Sequence, residues 1–411
     1  MSFLKMNRPP RHMSLNAFLM ATGHHIAGWR HPQAQADAGL QLDHYRHLAA
    51  TAERGGMDAI FLSDTLAMLP GRQDALSRMS RTEHFEPLTL LAALSSVTSH
   101  IGLIATATTS YNSVEGVAES FASLERLSGQ RSGCNLVTSS NAMEALNFNR
   151  DQHYDHADRY RYAVHFLREV RQHWAEQGVD PVQVFAGASQ SGQAFAAAHA
   201  EVLFTAQSTV EGARSFYANV KKRMLQVGRT PEQLKIMPGV MPIVGATQAE
   251  ADARLRQLQD LVDPQVGLSL LSDIAGGHDL SQYPLDGPLP DLPHTQSGVS
   301  RRHLLLDVAR SEGLSIRQLY LRMAPARGHW VVVGTAESIA DQLQYWFLTS
   351  AADGFNIMPP SLPTGLDDFV DGVIPELRRR ALVREHYTGR TLREHLGLQT
   401  SNSMQGARAY A

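Results

Sequence analysis

Gly102–Ser139, GLIATATTSYNSVEGVAESFASLERLSGQRSGCNLVTS, reads as a β-rich run, a helix and a second β-rich run: Gly102–Ser110, Val117–Leu127 and Cys134–Ser139. The same alternation continues in both directions along the chain. Further β-rich runs are Leu15–Met20, Ala59–Asp64, Val182–Ser189, Val202–Gln207, Lys235–Val244 and Phe355–Pro359. Between them lie the helical candidates Asp43–Arg54, Pro87–Thr98, Asp158–Trp174, Gly192–His199, Val210–Val227, Gln248–Leu261 and Glu337–Thr349. Repeated βα units build a parallel sheet. Eight such runs, nearly all followed by a helix, predict an α/β fold of the closed (β/α)8 TIM-barrel type. An open doubly wound sheet more often carries a Gly-rich phosphate turn after its first strand, whereas the first run here ends Met20-Ala21-Thr22-Gly23-His24-His25.

One long stretch breaks the rhythm. Asp263–Gly334 is rich in Pro, Gly, Asp and His, with a helix-like piece at Arg301–Arg310, and reads as an insertion before the last strand. Long loops that follow barrel strands sit on the catalytic face, so this stretch is expected to act as a lid, with Ser272–Ser300 mobile. The domain expectation is a single barrel over residues 1–398, with 263–334 as insertion and 399–411 as a C-terminal tail.

Composition narrows the function classes. The chain has 411 residues, a formal net charge of −3 and 19% charged residues, with no polybasic tract, which argues against a nucleic-acid partner. Cys134 is the only cysteine, so one chain can form neither an intramolecular disulfide nor a thiolate metal cage. No run approaches the roughly 18 to 20 apolar residues that span a bilayer. The opening residues lack the apolar core of a signal peptide. A soluble cytoplasmic protein is the expectation.

In a barrel the active site lies at the C-terminal ends of the strands. Those ends supply Asp64, then Thr106, Thr108 and Thr109, then Asn135, Thr138 and Ser139, then Ser189 and Ser191. Nearly all are neutral hydrogen-bonding groups, a lining that suits an uncharged planar heterocycle better than a metal ion. Gly187-Ala188-Ser189-Gln190-Ser191-Gly192 closes one strand and opens a helix, where small residues let backbone N–H groups approach an anion. It is a phosphate cradle or a plain Ser-capped turn, and the six residues leave both readings open. His156 and Tyr160 share a helix face by their four-residue spacing, with Arg159 directed elsewhere.

The 19 histidines include His24 and His25 near Trp29, and His329 in Arg327-Gly328-His329-Trp330. Adjacent His24 and His25 project to different sides of an extended segment, and no H-x-x-x-H with a carboxylate stands on a strong helix, so no metal site is predicted. His44, His47, His165, His173 and His199 read as ordinary surface or hydrogen-bonded residues.

Seven collinear blocks then resemble a known family: LNAFLMATGHHIAGWRHP, FLSDTLA, EPLTLLAALSSVTSHIGLIATATTSYN, ASLERLSGQRSGCNLVTSSN, ALNFNRDQHYDHADRY, AGASQSGQAFAAAHAEVLFTAQ and ADGFNIMPP. From about Ser14 to Leu398 the chain is similar to the nitrilotriacetate/dibenzothiophene-sulfone monooxygenase branch of the bacterial luciferase-like flavin enzymes. The resemblance implies a barrel that binds FMN non-covalently, receives it reduced (FMNH2) from a separate NAD(P)H:flavin reductase, and reacts it with O2 to oxygenate a small organic substrate. C–N or C–S bond cleavage are both open. It also implies FMN contacts at Asp64, Thr106 or Thr108, Asn135, His156, Tyr160, and Ser189 or Ser191, with Ser139 beside them. For the oxygen chemistry the candidates are His329, then His25, then His24.

A homodimer or homotetramer is expected. The alternative is a deazaflavin- or flavin-dependent hydride-transferring enzyme of the same fold, which would not need O2. A metal-dependent barrel hydrolase would need carboxylates and histidines at the strand ends, where only Asp64 fits. A barrel that has lost catalysis is disfavoured by the retained polar strand ends. Two departures from the branch stand out. Only Ala175–Pro181 links Trp174 to the next strand, where relatives usually carry a few dozen residues, and Trp330 follows Gly328-His329, where relatives generally have a basic residue. Few Arg or Lys residues stand near strand ends, which favours a largely apolar or neutral substrate.

Overall fold

The computed structural model describes residues 12–68, 73–80, 82–139, 141–292 and 299–399. Among the described residues nine strands form: β1 (Ser14–Leu19), β2 (Ala59–Leu62), β3 (Gly102–Thr108), β4 (Ser132–Val137), β5 (Val182–Ala186), β6 (Val202–Thr205), β7 (Lys235–Val244), β8 (Trp330–Gly334) and β9 (Gly354–Ile357). β1 to β7 pair in chain order, all parallel, and β9 joins β7 to β1. Eight strands, β1 to β7 with β9, therefore close a (β/α)8 TIM barrel, as the alternation of the sequence predicts.

β8 is the strand missing from the sequence reading. β7 pairs with β6 through its first four residues and with β9 at Gly239 and Val240. From Val240 to Val244 its free edge is taken by Trp330 to Gly334 of β8. A strand that outruns its barrel neighbours exposes N–H and C=O groups, and a short parallel partner satisfies them. Val331–Val333 is too short a run to declare itself by period.

Side chains alternate across the barrel wall. Leu15, Ala17, Leu19, Ile60, Leu103, Ala105, Cys134, Leu136, Leu203 and Phe355 face the helices in one large apolar cluster. Phe18, Ala59, Phe61, Ile104, Val184, Phe204, Met237, Met241 and Met358 fill the interior. Burial pushes the Cys134 thiol well above its ordinary pKa, so it stays a neutral core group.

The bottom of the barrel is tied by carboxylates just before strands. Asp58 accepts from the Leu15 N–H at 2.6 Å, Glu201 from the Gln183 N–H at 3.0 Å and Asp353 from the Ile236 N–H at 2.9 Å. Each satisfies an N–H that has no earlier residue to pair with. The helix Leu392–Leu396 plugs this end, with Leu392 fully buried and packed so closely on Gly102 that a Cβ there would lie 2.5 Å from Leu392 Cδ1.

The stretch read as irregular is substantially helical. Pro264–Ile274, Val299–Glu312 and Ile316–Met323 are helices. Val266, Leu271, Ile274, Leu280, Leu305, Ile316, Leu319, Tyr320 and Met323 make their own apolar cluster with Ile26 and Ala27 from the loop after β1. Of Ser272–Ser300, expected to be mobile, the part up to Leu292 carries regular turns and a bridge between Pro288 and Ser315, while residues 293–298 lie outside the described residues. From residue 400 the expected tail also lies outside them. The short connection is a closed turn: the helix His156–Glu176 ends, Val179 N–H donates to Trp174 O at 3.0 Å, and β5 begins at Val182. No helix among the described residues is long and apolar enough to cross a membrane.

Candidate active site

At the C-terminal ends of β2, β3 and β4 lies a cleft of about 340 Å³. Asp64, Thr65, Thr106, Thr108, Ser139 and Glu144 line it. The inward parity of β3 and β4 sets Thr106, Thr108 and Asn135 on the mouth side of the wall. Asn135 Nδ2 donates to Thr106 Oγ1 at 2.9 Å, and Thr106 in turn donates to Leu62 O at 2.9 Å. Asn135 is 2% exposed, and its Oδ1 has no hydrogen-bond partner among the described residues. A buried amide oxygen without a donor is costly, so this atom marks a place where a ligand donor fits.

Asp64 Oδ1 accepts from the Thr65 N–H at 2.8 Å and lies 3.6 Å from His84 Nε2. The hydrogen bond to Asp64 holds the His84 imidazolium above its usual pKa, partly opposed by burial. Next to the cleft, Leu66, Ala67, Met68, Leu76 and Met79 line a second, mostly apolar hollow of about 280 Å³.

A second cluster forms at the start of two helices. Ser189 caps the helix Gln190–His199, accepting from the Gly192 N–H at 3.1 Å. Tyr160, one turn into His156–Glu176, brings its hydroxyl over the Gly187–Gly192 turn. A Cβ built on Gly192 would stand 3.1 Å from Tyr160 Oη and 3.2 Å from Ser189 Oγ, so only a glycine leaves this concavity open. The helix N-terminus, the small residues and the phenol hydroxyl form a cradle whose chemistry suits a phosphate. Ser191 is exposed on its rim, and the His156 side chain lies outside the described residues.

Arg159 does not point away, as its spacing suggested. Its guanidinium reaches the end of β4, donating to Ser139 O, and it lies 3.1 Å from His153 Nε2. This joins the helix carrying Tyr160 to the strand carrying Asn135. Ser139 itself has φ +52°, a left-handed conformation held by these contacts.

The three histidines separate. His24 is fully buried, with Nε2 2.9 Å from Phe18 O and its ring 4.5 Å from that of Phe18. His25 is 1% exposed and faces the other way, its Nδ1 accepting from the Ala27 N–H at 3.2 Å. His329 is half-buried and stacks on Phe204, with centroids 5.1 Å apart and planes 5° from parallel. Phe18, Phe61 and Phe204 pack together below it as an aromatic floor. Gly239 makes room for this ring, since a Cβ there would lie 2.5 Å from His329 Nδ1. Trp330 turns outward and stacks on Trp346 at 4.3 Å, so the departure from the branch at that position serves packing.

Sequence reasoning missed Glu144. It follows Ser139 by five residues in Asn141-Ala142-Met143-Glu144-Ala145 and gives no motif signal; only the fold buries it, to 3% exposure, between Thr65 and Ser139. Among the described residues no cluster of His, Cys, Asp or Glu has the geometry to hold a metal.

A barrel with a hydrogen-bonding wall, an aromatic floor and an anion cradle at its C-terminal mouth is the layout of a cofactor-dependent oxidoreductase. Residues 17–352 match the model of the luciferase-like monooxygenase family, and the chain belongs to that family. It is 42% identical to N-acetyl-S-(2-succino)cysteine monooxygenase of Bacillus subtilis, across 96% of this chain and 98% of that protein. It is also 42% identical to nitrilotriacetate monooxygenase component A of Aminobacter aminovorans, across 94% of this chain and 97% of that protein. Among solved structures, EDTA monooxygenase from Chelativorans sp. BNC1 superimposes with a TM-score of 0.76 at 29% identity, over 95% of this chain and 99% of that one. The enzyme class is thus that of the flavin-dependent monooxygenases, in the branch that the sequence blocks indicate.

Proposed function

We propose that this chain is the oxygenase component of a two-component system, taking FMN already reduced by a separate NAD(P)H:flavin reductase and using it with O2 to oxygenate a small organic substrate. The observation that carries the reading is the placing of Tyr160 Oη over the Gly187–Gly192 turn, tied through Arg159 to the neutral wall at the end of β4. The name of the Aminobacter relative, a component A, supports the separate reductase.

In this reading Tyr160, Ser189, Ser191 and the N–H groups of the turn hold the phosphate, with His156 beside them. Thr106, Thr108, Asn135, Ser139 and Asp64 orient the ring system. Bound reduced FMN supplies the activation of O2. The floor of Phe18, Phe61 and Phe204 keeps water from below, and the helices Pro264–Ile274, Val299–Glu312 and Ile316–Met323, within the lid expected at 263–334, cover the mouth. His329, half-buried and stacked on Phe204 with Nδ1 close to Gly239, is the group that holds or delivers a proton. His24 and His25 are too enclosed for that work and serve the floor and the loop. We place the enzyme in the cytoplasm as a homodimer or homotetramer.

The described cleft lining includes Asp64, Glu86 and Glu144 and no Lys or Arg. With the apolar hollow lined by Leu66, Ala67, Met68, Leu76 and Met79, this supports a neutral or apolar substrate over polycarboxylates such as N-acetyl-S-(2-succino)cysteine, nitrilotriacetate and EDTA, which name three of the similar proteins.

The test supplies purified protein with FMN, NADH, O2 and test compounds of both kinds, with and without an added flavin reductase. Product should form only when reductase and O2 are both present. NADH oxidation by the chain alone overturns the two-component reading, and turnover without O2 overturns the monooxygenase one. In the same assay His329→Ala should retain FMN binding, lose most product and release more H2O2 per flavin consumed. Normal coupling in the folded variant removes His329 from the proton path.

A further inference from the structure

We infer that Glu144, a residue outside the flavin contacts assigned above, sets the hydrogen-bond polarity of the cleft wall and thereby selects reduced over oxidised flavin; this rests on the FMN reading. The argument begins with proton bookkeeping among four side chains that all line the cleft: Thr65, Thr108, Ser139 and Glu144. Glu144 Oε1 accepts from Thr65 Oγ1 at 2.9 Å, and Oε2 accepts from Ser139 Oγ at 2.5 Å. No Lys, Arg or His among the described residues forms an ion pair with this buried carboxylate. Among the described residues its side-chain hydrogen-bond partners are these two hydroxyls.

A carboxylate only accepts, and a hydroxyl has one hydrogen to give. Ser139 therefore spends its hydrogen on Glu144. Thr108 Oγ1 lies 2.5 Å from Ser139 Oγ, a contact in which either oxygen could donate, and with Ser139 committed the donor is Thr108. Thr108 Oγ1 in turn accepts the Ser110 N–H at 3.1 Å. Thr65 Oγ1 has two acceptors for its one hydrogen, Glu144 Oε1 at 2.9 Å and Ala67 O at 3.3 Å, and the shorter contact is the one to Glu144. All three hydroxyl hydrogens point into the wall, and the cleft is left facing lone pairs.

The unpartnered Asn135 Oδ1, on the same strand as the residues leading to Ser139, adds another acceptor. A wall of acceptors pairs with N–H edges and repels carbonyl and imine lone pairs. Reducing a flavin converts ring imine nitrogen to N–H, so the reduced form matches such a wall and the oxidised form does not. Glu144 touches no cofactor in this scheme and is a positioning residue acting through Ser139 and Thr108.

The experiment measures dissociation constants for oxidised FMN in air and for FMNH2 under anaerobic conditions, with thermal unfolding as a check on folding. Glu144→Gln keeps the shape but brings an amide that donates, which lets Ser139 and Thr108 turn a hydrogen to the cleft. Its ratio of oxidised to reduced dissociation constants should fall about tenfold, the effect of one hydrogen bond, through weaker FMNH2 binding. Ser139→Ala cuts the relay at its middle, frees the Thr108 hydrogen, and should lower the ratio in the same direction; it decides the matter if Glu144→Gln does not fold. An unchanged ratio in a folded variant overturns the inference, as does an equal loss for both redox forms, which would make Glu144 a packing residue. Wild-type protein that binds neither form would instead overturn the FMN reading itself, with the ratio undefined.

Discussion

Arg393→Ala should lower the stability of the fold by about 3–5 kcal/mol, the expected cost of leaving one charge of a buried pair alone. Arg393 sits on the plug helix at the bottom of the barrel and forks onto Glu201, with Nη1 to Oε1 at 2.7 Å and Nη2 to Oε2 at 3.1 Å. The side chains are 8% and 6% exposed. The same guanidinium reaches Asp180 Oδ1 at 2.8 Å and Asp180 O at 3.0 Å, so one residue ties the plug to the start of β5 and β6. Removing it strands the Glu201 carboxylate against the barrel floor with only the Gln183 N–H. Chemical unfolding monitored by circular dichroism should show the loss as a lower midpoint. Arg393→Met combined with Glu201→Leu should recover much of it, because no buried charge is then uncompensated. A loss below about 1 kcal/mol for Arg393→Ala would mean that water reaches the pair. FMN affinity should stay unchanged, since the plug lies at the end opposite the cleft.

Tyr160→Phe should weaken FMN binding about ten- to a hundredfold, as expected for a hydrogen bond to a charged group worth roughly 1.5–3 kcal/mol. The variant keeps the ring packed edge-on against Phe195 and removes only the hydroxyl above the turn. Gly192→Ala should weaken binding too, since the added methyl would crowd Tyr160 Oη at 3.1 Å and Ser189 Oγ at 3.2 Å. Riboflavin, which has the same ring but no phosphate, is the control, and its affinity should be nearly the same in wild type and variants. Unchanged FMN affinity in Tyr160→Phe would put the phosphate elsewhere; equal losses for FMN and riboflavin would mean that the turn supports the ring instead.

Much of the site was legible because barrel strands end where their β-rich runs end. Asp64, Thr106, Thr108, Asn135 and Ser139 were placed from strand position alone, and all five come together at the mouth or on the wall leading to it. Ser189 and Gly192 were visible as a turn, but two readings stood until the Tyr160 hydroxyl was seen above them. Arg159 was misjudged because helix spacing assigns a face, whereas a long guanidinium follows the nearest carbonyls. The adjacent pair His24 and His25 was expected to diverge and does, but the sequence carried no sign that both would be buried.

By itself the sequence determined the class of fold, the order of its barrel strands, the family and the residue types available at each strand end. Those follow from local period and from blocks of adjacent residues, both of which survive in a one-dimensional string. Tertiary structure alone decided that β8 pairs with the free end of β7, that Pro264–Ile274, Val299–Glu312 and Ile316–Met323 become helices on their own apolar cluster, and that Glu144 is buried between hydroxyls from two different segments. Each of these depends on which distant groups the closed barrel leaves unsatisfied, a free strand edge, an uncovered apolar face or a hydroxyl without an acceptor, and such needs exist only once the chain has closed on itself.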